Sequence, residues 1–149
     1  MHNVSISVPG EPVAKARARV TSRGAYTPKK TRDWEKRAKT ESMIVMAGIK
    51  PFTGPVRLSV TLAFMIPDSW PKWKKEAAKN GQIHHTIKPD GDNCLKAIKD
   101  AMNGIVYLDD SQVTETITRK IYSQRPEVFA RVTTINGHSA KIKKREDLS

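Results

Sequence analysis

The strongest constraint on the fold is the segment PVRLSVTLAFMIP, residues 55–67, a nearly continuous apolar run bounded by two prolines. An apolar run of this length, rich in β-branched residues, predicts a buried β-strand. The alternating segment NVSISV predicts a first strand near the N-terminus. The segments VTETITRKIYS and EVFARVTTI predict two more strands, joined by a tight turn around Gln124–Pro126.

Three other segments predict helices. The first begins after Pro28, with Thr31 as its N-cap and Gly48 near its C-terminal end. The second is short, from about Pro71 to Lys79, and the third closes at Gly104. The order strand, helix, strand, helix, helix, strand, strand predicts an α+β fold. We expect a single domain with a small mixed or antiparallel sheet covered by helices on one face.

Length and composition bound the class of protein. A chain of 149 residues with 38% hydrophobic residues is about one domain with a real core. The single cysteine, Cys94, excludes an internal disulfide and a multi-cysteine zinc site. Neither a long apolar stretch nor a secretory signal is present, so we expect a cytoplasmic protein with no membrane partner. We divide the chain into a folded domain, 1–137, and a weakly ordered basic tail, 138–149.

The positive charge of the chain is concentrated. The net charge is +12, and residues 15–39 contain ten Lys or Arg but only two acidic residues. Such a surface attracts nucleic acid backbones by counterion release. A solvated, solubilising surface is the alternative. The residues that we predict to contact DNA are Lys15, Arg17, Arg19, Arg23, Lys29 and Lys30.

Carboxylates are concentrated in a different place. The segment KPDGDNCLKAIKDAMNGIVYLDDSQV, residues 88–113, contains five of the 15 acidic residues. Asp90 and Asp92 stand at the start of the third helix, and Asp109 and Asp110 follow that helix. In a purely structural interpretation, Asp90 or Asp92 caps the helix and Asp92 pairs with Lys96 one turn later.

The clustering favours a second interpretation. Carboxylates that lie together repel each other unless a cation sits among them. Oxygen ligands without histidine or thiolate suit Mg²⁺ or Mn²⁺ better than zinc. In a protein that binds phosphodiester backbones, this predicts metal-assisted phosphodiester hydrolysis, with Lys96 neutralising charge in the transition state. A calcium loop of the EF-hand type is excluded, because its sixth and twelfth positions would be Leu95 and Ala101.

The histidines and tryptophans near the acidic segment give weaker indications of function. We expect His84 and His85 to be loop residues without a special role, although they could position a phosphate or act as a base. Trp70 and Trp73 flank Pro71 among several lysines. We expect both tryptophans to pack the short second helix on the sheet, and stacking on unpaired bases is the alternative.

The acidic segment resembles the RusA family of Holliday junction resolvases. The N-terminal segment VPGEPVAKARARVTSRGAYTPKKT is also similar to the family, so the resemblance covers about residues 4–135. One departure is Arg17-Ala18-Arg19, where family members often have Arg-Pro-Arg. The matching positions in the acidic segment are Asp90-Gly91-Asp92-Asn93, Lys96, Asp100-Ala101-Met102 and Asp109-Asp110-Ser111-Gln112-Val113.

The resemblance implies a homodimeric, Mg²⁺-dependent endonuclease that nicks four-way DNA junctions symmetrically. It implies that Asp90, Asp92 and Asp110 are the catalytic, metal-binding carboxylates and that Lys96 is the catalytic lysine. Asp100 matches the pattern too, and a salt bridge to a lysine would give it a structural role. Two alternatives remain: a non-catalytic DNA-binding protein with a structural ion site, and a nuclease for other branched DNA.

Overall fold

The computed structural model describes residues 2–15, 19–26 and 28–135, which form one α+β domain. Predicted features that lie outside these residues are Arg17 and the C-terminal tail, 138–149. The elements in chain order are β1 (Asn3–Pro9), β2 (Arg19–Thr21), β3 (Gly24–Tyr26), α1 (Lys29–Val45), β4 (Val56–Met65), α2 (Lys72–Lys79), α3 (Gly91–Met102), a 3₁₀ turn (Asp110–Gln112), β5 (Val113–Ser123) and β6 (Glu127–Thr134).

The main sheet is mixed, as the sequence predicted. Its strand order is β1-β6-β4-β5, with β6 antiparallel to both of its neighbours and β5 parallel to β4. The turn between β5 and β6 is short, yet these two strands do not pair with each other, because β4 lies between them. The apolar run that predicted β4 therefore occupies an inner position, where it is paired along both edges.

The core lies between the sheet and helices α1 and α3. Leu58, Val60 and Leu62 of β4 are fully buried on the face that these helices cover. Trp34 of α1 and Ile98 of α3 belong to the same apolar cluster. On the other face, which we call the open face, Ile117 and Ile121 of β5 are exposed. Helices α1 and α3 thus lie on one face of the sheet, and α2 contacts β5.

Two local features differ from the sequence prediction. Helix α1 begins directly after Pro28, so the prediction of Thr31 as N-cap is wrong, and Thr31 is buried inside the helix. Pro28 is suited to the helix start because it has no N–H group to leave unpaired, while its carbonyl accepts from the backbone N–H of Arg32 at 3.1 Å. The hairpin of β2 and β3 was not predicted, since each strand is only three residues long.

No helix in residues 2–15, 19–26 and 28–135 is long and apolar enough to cross a membrane.

Candidate active site

The entry to helix α3 fixes the first two acidic side chains. Asp90 is the N-cap, and its Oδ1 accepts a hydrogen bond from the backbone N–H of Asn93 at 2.8 Å. Its Oδ2 accepts from the side-chain amide of Asn93 at 3.1 Å. Both bonds place negative charge at the positive end of the helix dipole. Asp92, in the first turn of α3, is exposed to solvent.

Helix α3 is held by its apolar face. Cys94, Ile98 and Met102 are buried against the sheet, so the opposite side of the helix, with Asp92 and Lys96, faces solvent. Burial raises the pKa of the Cys94 thiol to about 11, which makes Cys94 an inert core residue, as the sequence predicted.

The turn after α3 is anchored by Tyr107. Its ring is fully buried, and its hydroxyl donates to the carbonyl of Lys99 at 2.8 Å. The pKa of the Tyr107 hydroxyl is raised, first by burial and then by nearby carboxylates including Asp110. The hydroxyl therefore stays protonated and keeps donating to α3 at physiological pH.

The paired carboxylates Asp109 and Asp110 have different environments. Asp109 caps the 3₁₀ turn, and its Oδ2 accepts from the backbone N–H of Ser111 at 3.0 Å. Its own backbone N–H donates to Oε1 of Gln112 at 2.9 Å, which completes a capping box. The pKa of Asp109 is lowered first by a hydrogen bond with the Ser111 side chain and then by the bond from the Ser111 backbone. Asp109 thus holds the turn, and Asp110 is the member of the pair that faces a cleft.

This cleft brings three of the four predicted catalytic residues together. It has a volume of about 300 Å³ and is open to solvent. Asp90 does not line it, because its carboxylate caps the helix beside it. Lys99 was not singled out from the sequence, although its spacing of three from Lys96 places both lysines on one helix face. The lining residues are Asp92, Leu95, Lys96, Lys99, Asp100 and Asp110.

The donor chemistry of the cleft fits a magnesium ion. Mg²⁺ is commonly held by one or two carboxylates together with water and substrate phosphates, and Asp92 and Asp110 supply two carboxylates. Within the described residues, no group of three or more His, Cys, Asp or Glu side chains is arranged around one point. The predicted set of Asp90, Asp92 and Asp110 is therefore not assembled as a closed three-carboxylate site.

Asp100 forms the salt bridge that the sequence predicted. The Lys15 amine lies 3.4 Å from Oδ2 of Asp100 and 2.7 Å from Oε1 of Glu35, so it links α3 to α1. The backbone N–H of Lys15 also donates to the carbonyl of Asn93 at 3.0 Å. The pKa of Lys15 is raised by its hydrogen bond to Glu35 more than by any other contact. The charge of Lys15 is therefore compensated inside the protein.

The other predicted DNA contacts within the described residues are Arg19, Arg23, Lys29 and Lys30. Arg23, Lys29 and Lys30 are exposed, and Arg19 begins strand β2. The Lys29 amine is 3.9 Å from a carboxylate oxygen of Asp33, a long and solvated pair. The exposed cations at the start of α1 thus retain the capacity to meet phosphates.

Two contacts beside the acidic segment were not predicted, one made by Lys120 and one made by His85. Lys120 of β5 donates from its amine to the carbonyl of Ile87 at 2.7 Å, just before the acidic residues. His85 is a core residue with 7% exposure, stacked on Phe64 at 3.7 Å between ring centroids. Burial and the charge of Lys120 lower the pKa of His85. Neither position belongs to a recognisable motif, so the sequence offered no signal for these contacts.

The tryptophan prediction is half right. Trp70 packs edge to face on Tyr122, with ring centroids 5.0 Å apart. Trp73 does not pack on the sheet, because 70% of its surface is exposed. The reason is geometric: Trp70 precedes α2 and packs on β5, Ala78 is the buried residue of α2, and Trp73 lies on the exposed side of the helix.

Comparisons with known proteins cover nearly the whole chain. Residues 9–133 match the protein family described as "Endodeoxyribonuclease RusA". A protein of Bacillus subtilis (strain 168), described as "Uncharacterized protein YqaN", is 35% identical over 141 residues. That alignment covers 91% of this chain and 99% of the Bacillus protein.

Proposed function

The chain belongs to the RusA endodeoxyribonuclease family, and from this membership and its acidic cleft we propose that it resolves four-way DNA junctions. The activity would be metal-dependent hydrolysis of one phosphodiester in each of two symmetry-related strands, leaving paired nicks. The main support for this proposal is that Asp92, Asp110 and Lys96 line the same cleft. We also propose that the protein acts in the cytoplasm, where a recombination or repair substrate of this kind would be met.

The chemistry divides between the metal and the side chains of the cleft. A bound Mg²⁺ or Mn²⁺ supplies an activated water and stabilises charge on the scissile phosphate. Asp92 and Asp110 would hold the ion, since their carboxylates line the cleft and the surrounding fold leaves them facing solvent. We also propose Asp90 as a third carboxylate on the resemblance to the family alone, since its two oxygens accept from Asn93 and it does not line the cleft.

Lysines would balance charge at the reacting phosphate. The transition state of phosphodiester hydrolysis has more negative charge than the substrate, and a nearby ammonium stabilises that difference. Lys96 lines the cleft between Asp92 and Asp100 on the exposed side of α3. No ion pair joins Lys96 to Asp92 among the described residues, so its charge is available to the substrate.

The DNA would be held by the basic region that precedes the cleft in sequence. We propose Arg17, Arg19, Arg23, Lys29 and Lys30 as phosphate contacts. The segment that contains them is connected to α3 through Lys15, which bonds to Glu35 and Asp100. We also propose a homodimer, because two symmetric cuts at a two-fold symmetric junction need two clefts related by the same symmetry.

The proposal is tested by cleavage of an end-labelled synthetic four-way junction, a flapped duplex and a linear duplex, each with and without Mg²⁺. We expect paired nicks in opposite strands of the junction only, and only with metal. Nicks in the flap at the same rate would reassign the protein to other branched DNA. Tight junction binding without metal-dependent nicks would contradict the nuclease proposal.

A further inference from the structure

Helix α2 presents an aromatic side chain to solvent beside several cations. Trp73 is the most exposed large hydrophobic side chain among the described residues. Its neighbour Trp70 is fixed against Tyr122, and the Lys74 amine lies 4.1 Å from the Trp70 ring centroid. The segment that leads into the helix is therefore held to the sheet by Trp70, while the indole of Trp73 faces water.

Basic side chains form a cleft on the same helix. A cavity of about 420 Å³ lies between α2 and the ends of β4 and β5. Three ammonium groups and two carboxylates line it, so the cleft has a net positive charge: Lys72, Lys75 and Lys79 face Asp68 and Glu76. An exposed indole on the same helix as the lysines of this cleft is complementary to a base attached to a phosphate backbone.

Strand β5 relates this surface to the acidic cleft. Gly91, between Asp90 and Asp92, lies against Thr118, since a Cβ on Gly91 would be 3.4 Å from Thr118 Cγ2. Trp70 lies against Tyr122, four residues further along β5. Alternate residues of a strand share a face, so both contacts are on the helix-covered side, about 13 Å apart at roughly 3.3 Å per residue.

From these observations we propose that α2 is a second DNA-binding element, in which Trp73 stacks on an unpaired base and Lys72, Lys75 and Lys79 bind phosphates of the same strand. The inference rests on the proposed function for the identity of the substrate. In an open four-way junction the base pairs at the crossover lack a stacked neighbour on one side, whereas a continuous duplex is stacked throughout. The α2 surface would thus favour branched DNA over linear DNA next to the site of cleavage.

The test uses a fluorescently labelled four-way junction and a labelled oligothymidylate in metal-free buffer, where binding is measured by anisotropy without cleavage. We expect Trp73→Ala to weaken binding to both probes about tenfold, as loss of one base–aromatic stack does. Trp73→Phe should restore binding to within about threefold, because phenylalanine keeps a stacking face. The control, Ile44→Ala, removes an equally exposed apolar side chain, 62% exposed, from α1 and should bind as the wild type does.

The lysines are tested separately by salt dependence. Replacing Lys72, Lys75 and Lys79 together with Gln should reduce the slope of log affinity against log salt by about 2, at roughly 0.7 per single-strand phosphate contact. Trp73→Ala should leave that slope unchanged. Wild-type binding of both probes by Trp73→Ala would overturn the inference.

The proposed function and this inference can fail independently. A protein that never nicks a junction, but whose binding depends on Trp73, would refute the nuclease and support the α2 element. A protein that nicks junctions equally well and binds them equally tightly with Trp73→Ala would support the nuclease and refute the α2 element.

Discussion

The side-chain amide of Gln112 donates to the carbonyl oxygen of Phe52 at 2.8 Å, and so fixes the turn after α3 to a segment distant in sequence. The same Nε2 donates to the carbonyl of Gly54 at 2.9 Å. Its Oε1 accepts from the backbone N–H of Asp109. Gln112 therefore holds the turn from both sides and sets the position of Asp110 at the cleft.

Replacing Gln112 with Ala should affect both stability and catalysis. The variant loses the capping box and leaves two carbonyls unpaired, so we expect a loss of about 1–2 kcal/mol in the free energy of unfolding. Junction cleavage should fall more than junction binding, because Asp110 loses its fixed position. Urea unfolding and cleavage at saturating DNA measure the two effects.

Thr114→Val is the matched control for this change, because Thr114 is an exposed residue of β5 two positions after Gln112. This variant should unfold and cleave as the wild type does. Equal stability and activity of Gln112→Ala and Thr114→Val would contradict the anchoring role of Gln112.

The Lys15 ion pairs predict a loss of stability at alkaline pH. Because the pKa of Lys15 is raised in the folded state, its contribution is fully present below the unfolded pKa of about 10.5 and is lost as pH rises through the folded value. Lys15→Met should therefore be about 1 kcal/mol less stable than the wild type at pH 8. The difference should shrink by pH 11.

Unfolding in urea at the two pH values measures this effect. Lys50→Met, which removes an exposed lysine, is the control and should match the wild type at both. A constant difference between Lys15→Met and wild type from pH 8 to pH 11 would show that the pairs with Glu35 and Asp100 do not stabilise the fold.

The lowered pKa of His85 predicts a loss of stability at acidic pH. Its folded pKa is below the unfolded value of 6.5, so the unfolded chain binds more protons and stability falls as pH drops below about 6.5. Nδ1 of His85 is buried without a hydrogen-bond partner in the described residues. His85→Phe keeps the stacking on Phe64 and removes this unpaired atom, so it should be at least as stable at pH 7.

The difference in stability between the wild type and His85→Phe should grow as the pH is lowered. Thermal unfolding between pH 7 and pH 5 should show the wild type losing stability faster than His85→Phe. Replacing the exposed neighbour His84 with Gln should leave the wild-type profile intact. Parallel profiles for wild type and His85→Phe would mean that folding does not lower the pKa of His85.

Local sequence patterns predicted the parts of the site that are local in space. The cap at Asp90, the amphipathic helix that follows it and the exposed position of Lys96 all follow from residues within one or two helical turns. The sequence suggested that Asp100 pairs with a lysine. It did not identify Lys15 as that lysine, because this contact depends on how the N-terminal segment passes α3.

Long-range contacts account for what the sequence could not predict. Asp109 and Asp110 are adjacent in the motif; the local capping box with Gln112 makes Asp109 the capping residue, and the bonds of Gln112 to Phe52 and Gly54 fix the turn to a distant segment. Likewise, the short turn between β5 and β6 gives no sign that β4 separates the two strands. Trp70 and Trp73 have similar sequence neighbours, and the packing of α2 on Tyr122 decides which one is exposed.

The most direct test of the account is Asp92→Asn on a four-way junction. Asp92 is exposed, so the variant should fold normally, and it should lose metal-dependent cleavage while it binds the junction as tightly as the wild type or more tightly, since phosphate repulsion falls. Glu115→Gln, which removes one negative charge from the exposed edge strand β5, is the control and should cleave normally. Wild-type cleavage by Asp92→Asn would contradict the assignment of this cleft as the catalytic site.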